Sequence, residues 1–155
     1  MIRLAIGTAF FCLSLTPAVA LELNQVPPHV LEVAKFYAPD AQWEAVGTDF
    51  DTQLMAPEYE IKGKTKAGNV VEVDVSPEGA LHEIESVIAA GDVPPAVMKL
   101  IEAYLPGFKP TLIELSARPN NVNFYEFEGM MNGREIDIEV NAAGTAIIIA
   151  DDSAI

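Results

Sequence analysis

A chain of 155 residues with 23 acidic and 9 basic side chains carries a formal net charge of −14 at pH 7. That balance excludes nucleic acid as a partner, because phosphates need lysine and arginine, and it excludes an anionic membrane surface for the same reason. It admits a basic partner, a cation or solubility alone, and the 50% hydrophobic share is enough for a packed core.

Residues 1–20 read as a secretory signal peptide. Arg3 supplies a short positive start, Leu4 to Leu15 an apolar run, and Ala18-Val19-Ala20 a small-residue cleavage site. The apolar run is too short for a stable membrane span. Cleavage after Ala20 leaves about 135 residues, one ordinary domain or two very small ones packed together. Cys12, the only cysteine, lies inside the apolar run, and Ala9-Phe10-Phe11 before it is too bulky for lipoprotein processing. The mature chain thus has no cysteine, uses no disulfide and stands on its core. The expected location is the periplasm or the exterior.

Two tandem copies follow, residues 21–88 and 89–155. Val26-Pro27-Pro28 opens the first and Val93-Pro94-Pro95 the second. Proline suits the first turn of a helix, where its missing N–H is not needed. Val30, Val33, Ala34 and Tyr37 then follow helical spacing, and Val97, Leu100, Ile101 and Tyr104 repeat them at one constant offset. Pro39 and Pro106 stop the two helices, since proline disfavours helix in the residue before it. A first strand is expected around Gln42 to Gly47 and again at Thr111 to Leu115. Thr48 to Pro57 and Ser116 to Asn123 read as connectors.

The hairpins that come next are the clearest part of the chain. Tyr59-Glu60-Ile61-Lys62-Gly63 and Tyr125-Glu126-Phe127-Glu128-Gly129 each lead through a turn into a second alternating strand that ends in glycine. Asn132-Gly133 is a two-residue turn signal, because both residues tolerate the positive φ of a type I′ turn. Counting outward sets Glu128 opposite Asp137, Phe127 opposite Ile138, Glu126 opposite Glu139 and Tyr125 opposite Val140. In the first copy a three-residue loop, Lys66-Ala67-Gly68 with Gly68 left-handed, sets Ile61 opposite Val73, Tyr59 opposite Val75, Lys62 opposite Glu72 and Glu60 opposite Asp74. Each hairpin then has one apolar and one charged face. A last strand closes each copy, near Leu81 to Glu85 and near Thr145 to Ala150. The expected fold is α+β: two pseudo-repeats, each a helix packed on its own antiparallel sheet of about four strands.

Candidate sites follow from the charged faces. Glu126 opposite Glu139 and Glu128 opposite Asp137 place like charges across a ladder, which destabilises a sheet. They could serve as a docking face for a basic partner, as ligands for a divalent cation, or only as a solvated surface. Trp43, the lone tryptophan, is either core or an interface anchor. Thr48-Asp49-Phe50-Asp51 lacks the glycine and distal glutamate of a calcium loop and reads as a solvated connector. Strand alternation puts His82 and Glu83 on opposite faces. With His29 in a helix and no cysteine, zinc is not served. No nucleophile, base and orienting group assemble from this sequence, so neither an enzyme nor a cofactor is expected.

These motifs resemble the PepSY and PepSY-like family. The carriers are the V-P-x-x-V openings (Val26, Pro27, Val30; Val93, Pro94, Val97), the Tyr-x-Pro ends (Tyr37, Pro39; Tyr104, Pro106), the Tyr-Glu-x-x-Gly hairpins and the strand-glycine closings at Gly79 and Gly144. The resemblance spans nearly all of the mature chain. It implies a fold similar to the β-lactamase-inhibitor protein, a helical layer on an antiparallel sheet. It also implies an exported module that binds or restrains a protease or another envelope protein. Rival expectations are a cation-binding periplasmic protein and a small-molecule binder with a cleft between the copies.

Overall fold

The computed structural model describes residues 21–51 and 55–151. The signal-peptide expectation for residues 1–20 lies outside them. The α-helices are α1 (Pro28–Tyr37) and α2 (Pro95–Tyr104). The strands are β1 (Gln42–Asp51), β2 (Ala56–Lys64), β3 (Val70–Val75), β4 (Leu81–Val87), β5 (Lys109–Arg118), β6 (Val122–Met131), β7 (Arg134–Asn141) and β8 (Ile147–Asp151). They form one eight-stranded sheet whose strand order is the chain order.

That single sheet corrects the expectation of two pseudo-repeats, each a helix on its own four-stranded sheet. The physical reason lies in the edges. Two four-stranded sheets would expose four rows of unpaired backbone N–H and C=O groups, whereas one sheet of eight exposes two. The description α+β holds. By compactness the described chain divides into residues 21–86 with 117–122, and residues 87–116 with 123–151.

In the first unit, Pro27 and Pro28 open α1, and the Val30 N–H donates to the Pro27 carbonyl at 3.0 Å. Val30 and Ala34 are fully buried against Val46, Ile61, Val71, Val73 and Val75. Val33 packs at the margin of this core, while Tyr37 ends the helix 46% exposed, its ring edge-on to Phe36. Ala38, held before Pro39, leaves the helical region at φ −128° and ψ 72°. The second unit repeats the plan: Pro94 and Pro95 open α2, and Val97 and Ile101 bury against Phe127, Ile136, Ile138 and Val140.

Both hairpins form in the expected registers. Ile61 faces Val73 and Glu60 faces Asp74 in β2 and β3. Phe127 faces Ile138, Glu126 faces Glu139 and Glu128 faces Asp137 in β6 and β7. Gly68 has φ 86°, and Asn132 and Gly133 have φ 54° and 79°. The connectors are shorter than expected. β1 continues through Thr48 to Asp51, pairing Asp49 with Glu58, and β5 continues to Arg118. Thr48 to Asp51 is therefore strand, and not a solvated loop.

The glycine that ends each Tyr-Glu-x-x-Gly run has a packing reason. A Cβ on Gly63 would lie 2.9 Å from the Trp43 ring and 2.5 Å from the Gln42 carbonyl oxygen. A Cβ on Gly129 would lie 2.9 Å from the Phe108 ring and 2.6 Å from the Lys109 carbonyl oxygen. In each unit an aromatic ring lies across a strand where only a hydrogen can stand.

Candidate functional site

In the first unit the face of the strands turned away from α1 is a field of charge. β2 contributes Glu58, Glu60 and Lys62; β3 contributes Glu72 and Asp74; β4 contributes His82, Glu83 and Glu85. Register places them together: Lys62 opposite Glu72, Glu72 opposite Glu85, and Asp74 opposite both Glu60 and Glu83.

A bulge decides the composition of this face. Asp74 pairs with Glu83, but the next residue, Val75, pairs with Leu81, so His82 is an extra residue in β4. Its Nδ1 lies 2.6 Å from Glu58 Oε2. Both His82 and Glu83 thereby serve the acidic face, which overturns the expectation from strict alternation. Glu83 Oε2 in turn accepts from Arg118 Nε at 2.7 Å, and Glu72 Oε2 pairs with Lys62 Nζ at 2.9 Å.

Asp74 sits among these groups at 4% exposure, and its Oδ1 is buried with no hydrogen-bond partner. Burial, then the carboxylates of Glu72, Glu85, Glu58 and Glu83, push its pKa well above the ordinary aspartate range. Burial works against the Lys62 ammonium, but Glu72, Glu60 and Glu85 outweigh it and raise its pKa. Glu60 is raised by burial, opposed by Lys62 and reinforced by Asp49. Its carboxylate lies over Gly47, where an added Cβ would meet Oε2 at 2.6 Å.

The sequence reading places the candidate site elsewhere, on β6 and β7. Glu126, Glu128, Asp137 and Glu139 do share one face of that hairpin, as cross-strand pairs. Glu128 is exposed and the other three are half-buried. Glu126, Asp137 and Glu139 each engage a neighbour, so this face is not a row of unmatched carboxylates. Trp43 is partly buried and packs against the core of the first unit, beside Gly63.

The Glu58, Glu72, Asp74 and Glu85 group escapes a reading of the sequence for two reasons. Lys62 opposite Glu72 makes the first hairpin look neutralised. The bulge at His82 carries no glycine to announce it, so β4 counts out of phase. The signal that was available is the alternation of Glu72 and Asp74 with three valines in Val71 to Val75, a strand buried on both faces.

Comparison with known proteins defines the fold. No sequence-family profile and no curated protein matches the chain. Among solved structures, a DUF2874 family protein from Bacteroides uniformis matches with a TM-score of 0.64 at 18% identity, covering 83% of this chain and 91% of that one. A BLIP-like protein from Bacteroides fragilis matches with a TM-score of 0.61 at 15% identity, covering 81% and 86%. A protein from Bacteroides eggerthii, provisionally described as periplasmic, matches with a TM-score of 0.63 at 14% identity, covering 81% and 88%. At these identities the likeness is one of fold, and the fold is BLIP-like.

Proposed function

We propose that the protein is an exported, non-enzymatic binding module that docks a basic surface of another envelope or secreted protein through its acidic strand faces. The finer reading is regulation of a protease. The observation that carries it is the one-sided covering of the strands. Each helix buries the apolar face of its hairpin, and the second hairpin turns cross-strand carboxylates the other way: Glu126 with Glu139 and Glu128 with Asp137. Like charges across a ladder cost stability, and an oppositely charged partner offsets that cost.

Further support comes from the BLIP-like fold of the neighbours and the provisional placement of one of them in the periplasm. No described helix is long and apolar enough to cross a membrane. The non-enzymatic reading is supported by the pairing of the ionisable side chains among themselves: His82 with Glu58, Arg118 with Glu83 and Lys62 with Glu72.

The test begins with cross-linking of the tagged mature protein in an envelope fraction. Each captured protein is then purified, and its binding is measured against rising NaCl. The expected outcome is affinity that falls with salt, and falls further for a chain carrying Glu126→Gln, Glu128→Gln, Asp137→Asn and Glu139→Gln. Binding that ignores both salt and these substitutions sinks the acidic-face reading.

A further inference from the structure

We propose that Glu72, Asp74 and Glu85 form a binding site for a calcium ion. One carboxylate oxygen from each of the three lies within 4.8 Å of the others. Donor atoms on opposite sides of an ion with bonds of about 2.4 Å stand about that far apart. The site thus closes around calcium with small side-chain movements. Three carboxylates supply up to six oxygens when bidentate, within the coordination range of this ion. No nitrogen or sulfur belongs to the cluster, which sets it apart from zinc and copper sites.

An acidic cluster alone is ordinary in so acidic a chain. The second observation is the buried Oδ1 of Asp74 with no hydrogen-bond partner. Buried carboxylate oxygens are almost always matched, and an unmatched one needs a cause. The neighbouring pairs do not reach it: His82 is held by Glu58, and Arg118 by Glu83. A metal ion is one group that matches such an oxygen, and here it would draw on the two neighbouring carboxylates as well.

Charge favours a divalent ion. Lys62 already lies 2.9 Å from Glu72 and offsets one carboxylate of the cluster while no ion is bound; a divalent cation brings twice that charge to the same three carboxylates. Lys62 is half exposed on a flexible stem and can swing into solvent. It therefore acts as a competitor for the site, present when calcium is absent. This inference does not rest on the docking reading, since a bound ion requires no protein partner.

The test is isothermal titration of the EDTA-stripped protein with calcium chloride, alongside thermal melting. One ion per chain should bind and raise the melting temperature. Asp74→Asn and Glu85→Gln should each weaken binding at least about tenfold, because ligand charge sets affinity at such sites. Lys62→Met should tighten it, and Glu135→Gln, on the exposed side of the other unit, should leave it unchanged. Absence of heat and of any melting shift at millimolar calcium overturns the proposal. So does binding that survives Asp74→Asn and Glu85→Gln undiminished, or weakens on Lys62→Met. A response to magnesium equal to that to calcium also counts against it, because magnesium demands a tighter octahedron.

Discussion

A methyl group added at Gly144 would lie 2.6 Å from the carbonyl carbon of Ala96, in the first turn of α2. The equivalent glycine of the first unit, Gly79, meets only the edge of the His29 ring, at 3.2 Å, a side chain held by one hydrogen bond to the Pro77 carbonyl and not part of the backbone. Both glycines have positive φ, 64° and 88°. Gly79→Ala should therefore cost about 1–2 kcal/mol from backbone strain. Gly144→Ala should cost more, about 3 kcal/mol or above, because backbone must also move. Urea denaturation of the two variants compares them directly, and equal losses would remove the steric argument. Glu60 gives a pH prediction. Its folded pKa is raised, so the folded state holds this proton more tightly than the unfolded chain does. The contribution is complete below the unfolded value of 4.5 and is lost as pH rises through the folded value. Glu60→Gln should therefore raise the melting temperature at pH 7, with the gain shrinking toward about pH 4. A gain that persists unchanged in acid would point to a cause other than ionisation.

At the level of elements, the hairpins were legible because turn chemistry and alternation agree. Asn132-Gly133 needs positive φ at both residues, and the count outward from it reaches every pair from Met131 opposite Arg134 to Tyr125 opposite Val140. Val73 and Ile138 are accordingly at the centre of the two cores, 0% and 2% exposed. Either residue changed to Ala should cost about 2–4 kcal/mol, from lost burial and the cavity left behind. A loss below about 0.5 kcal/mol in chemical denaturation would contradict that placement. Bulges were not legible. The extra residues at Glu44 in β1 and at His82 in β4 interrupt their ladders without glycine or proline to mark them. The acidic cluster depends on the second of these, so the candidate site was hidden by the same irregularity that builds it. Long strands were missed for a related reason: Thr48 and Asp49 look like loop residues, yet they continue a strand whose outer face is polar.

For the whole molecule, the recurrence visible in the sequence is one of local marks: prolines and helix-end tyrosines recur at a constant spacing, and the hairpin tyrosines and glycines recur at slightly shorter ones. Each marks a backbone constraint: a helix start, a helix end, or a place where a ring crosses a strand. The union of all strands in one sheet left no such mark. Strand joining is a matter of main-chain N–H and C=O groups, which every residue carries, so residue identity does not reveal where one sheet ends. The charge of −14 favours basic or cationic partners over anionic ones, and geometry divides the acidic residues. Glu128 lies exposed, as the proposed docking surface requires, and Asp74 lies buried, as the proposed ion site requires.

Strand order that repeats chain order has a kinetic meaning. All neighbouring strands but β4 and β5, which are separated by residues 88–108 with α2 among them, are joined by short connections, so the contact order is low for so large a sheet. Folding rates follow that quantity, and this topology belongs on the fast side of the β-rich range. A chain delivered from its amino terminus completes each ladder as the next strand arrives, without waiting for a distant partner segment.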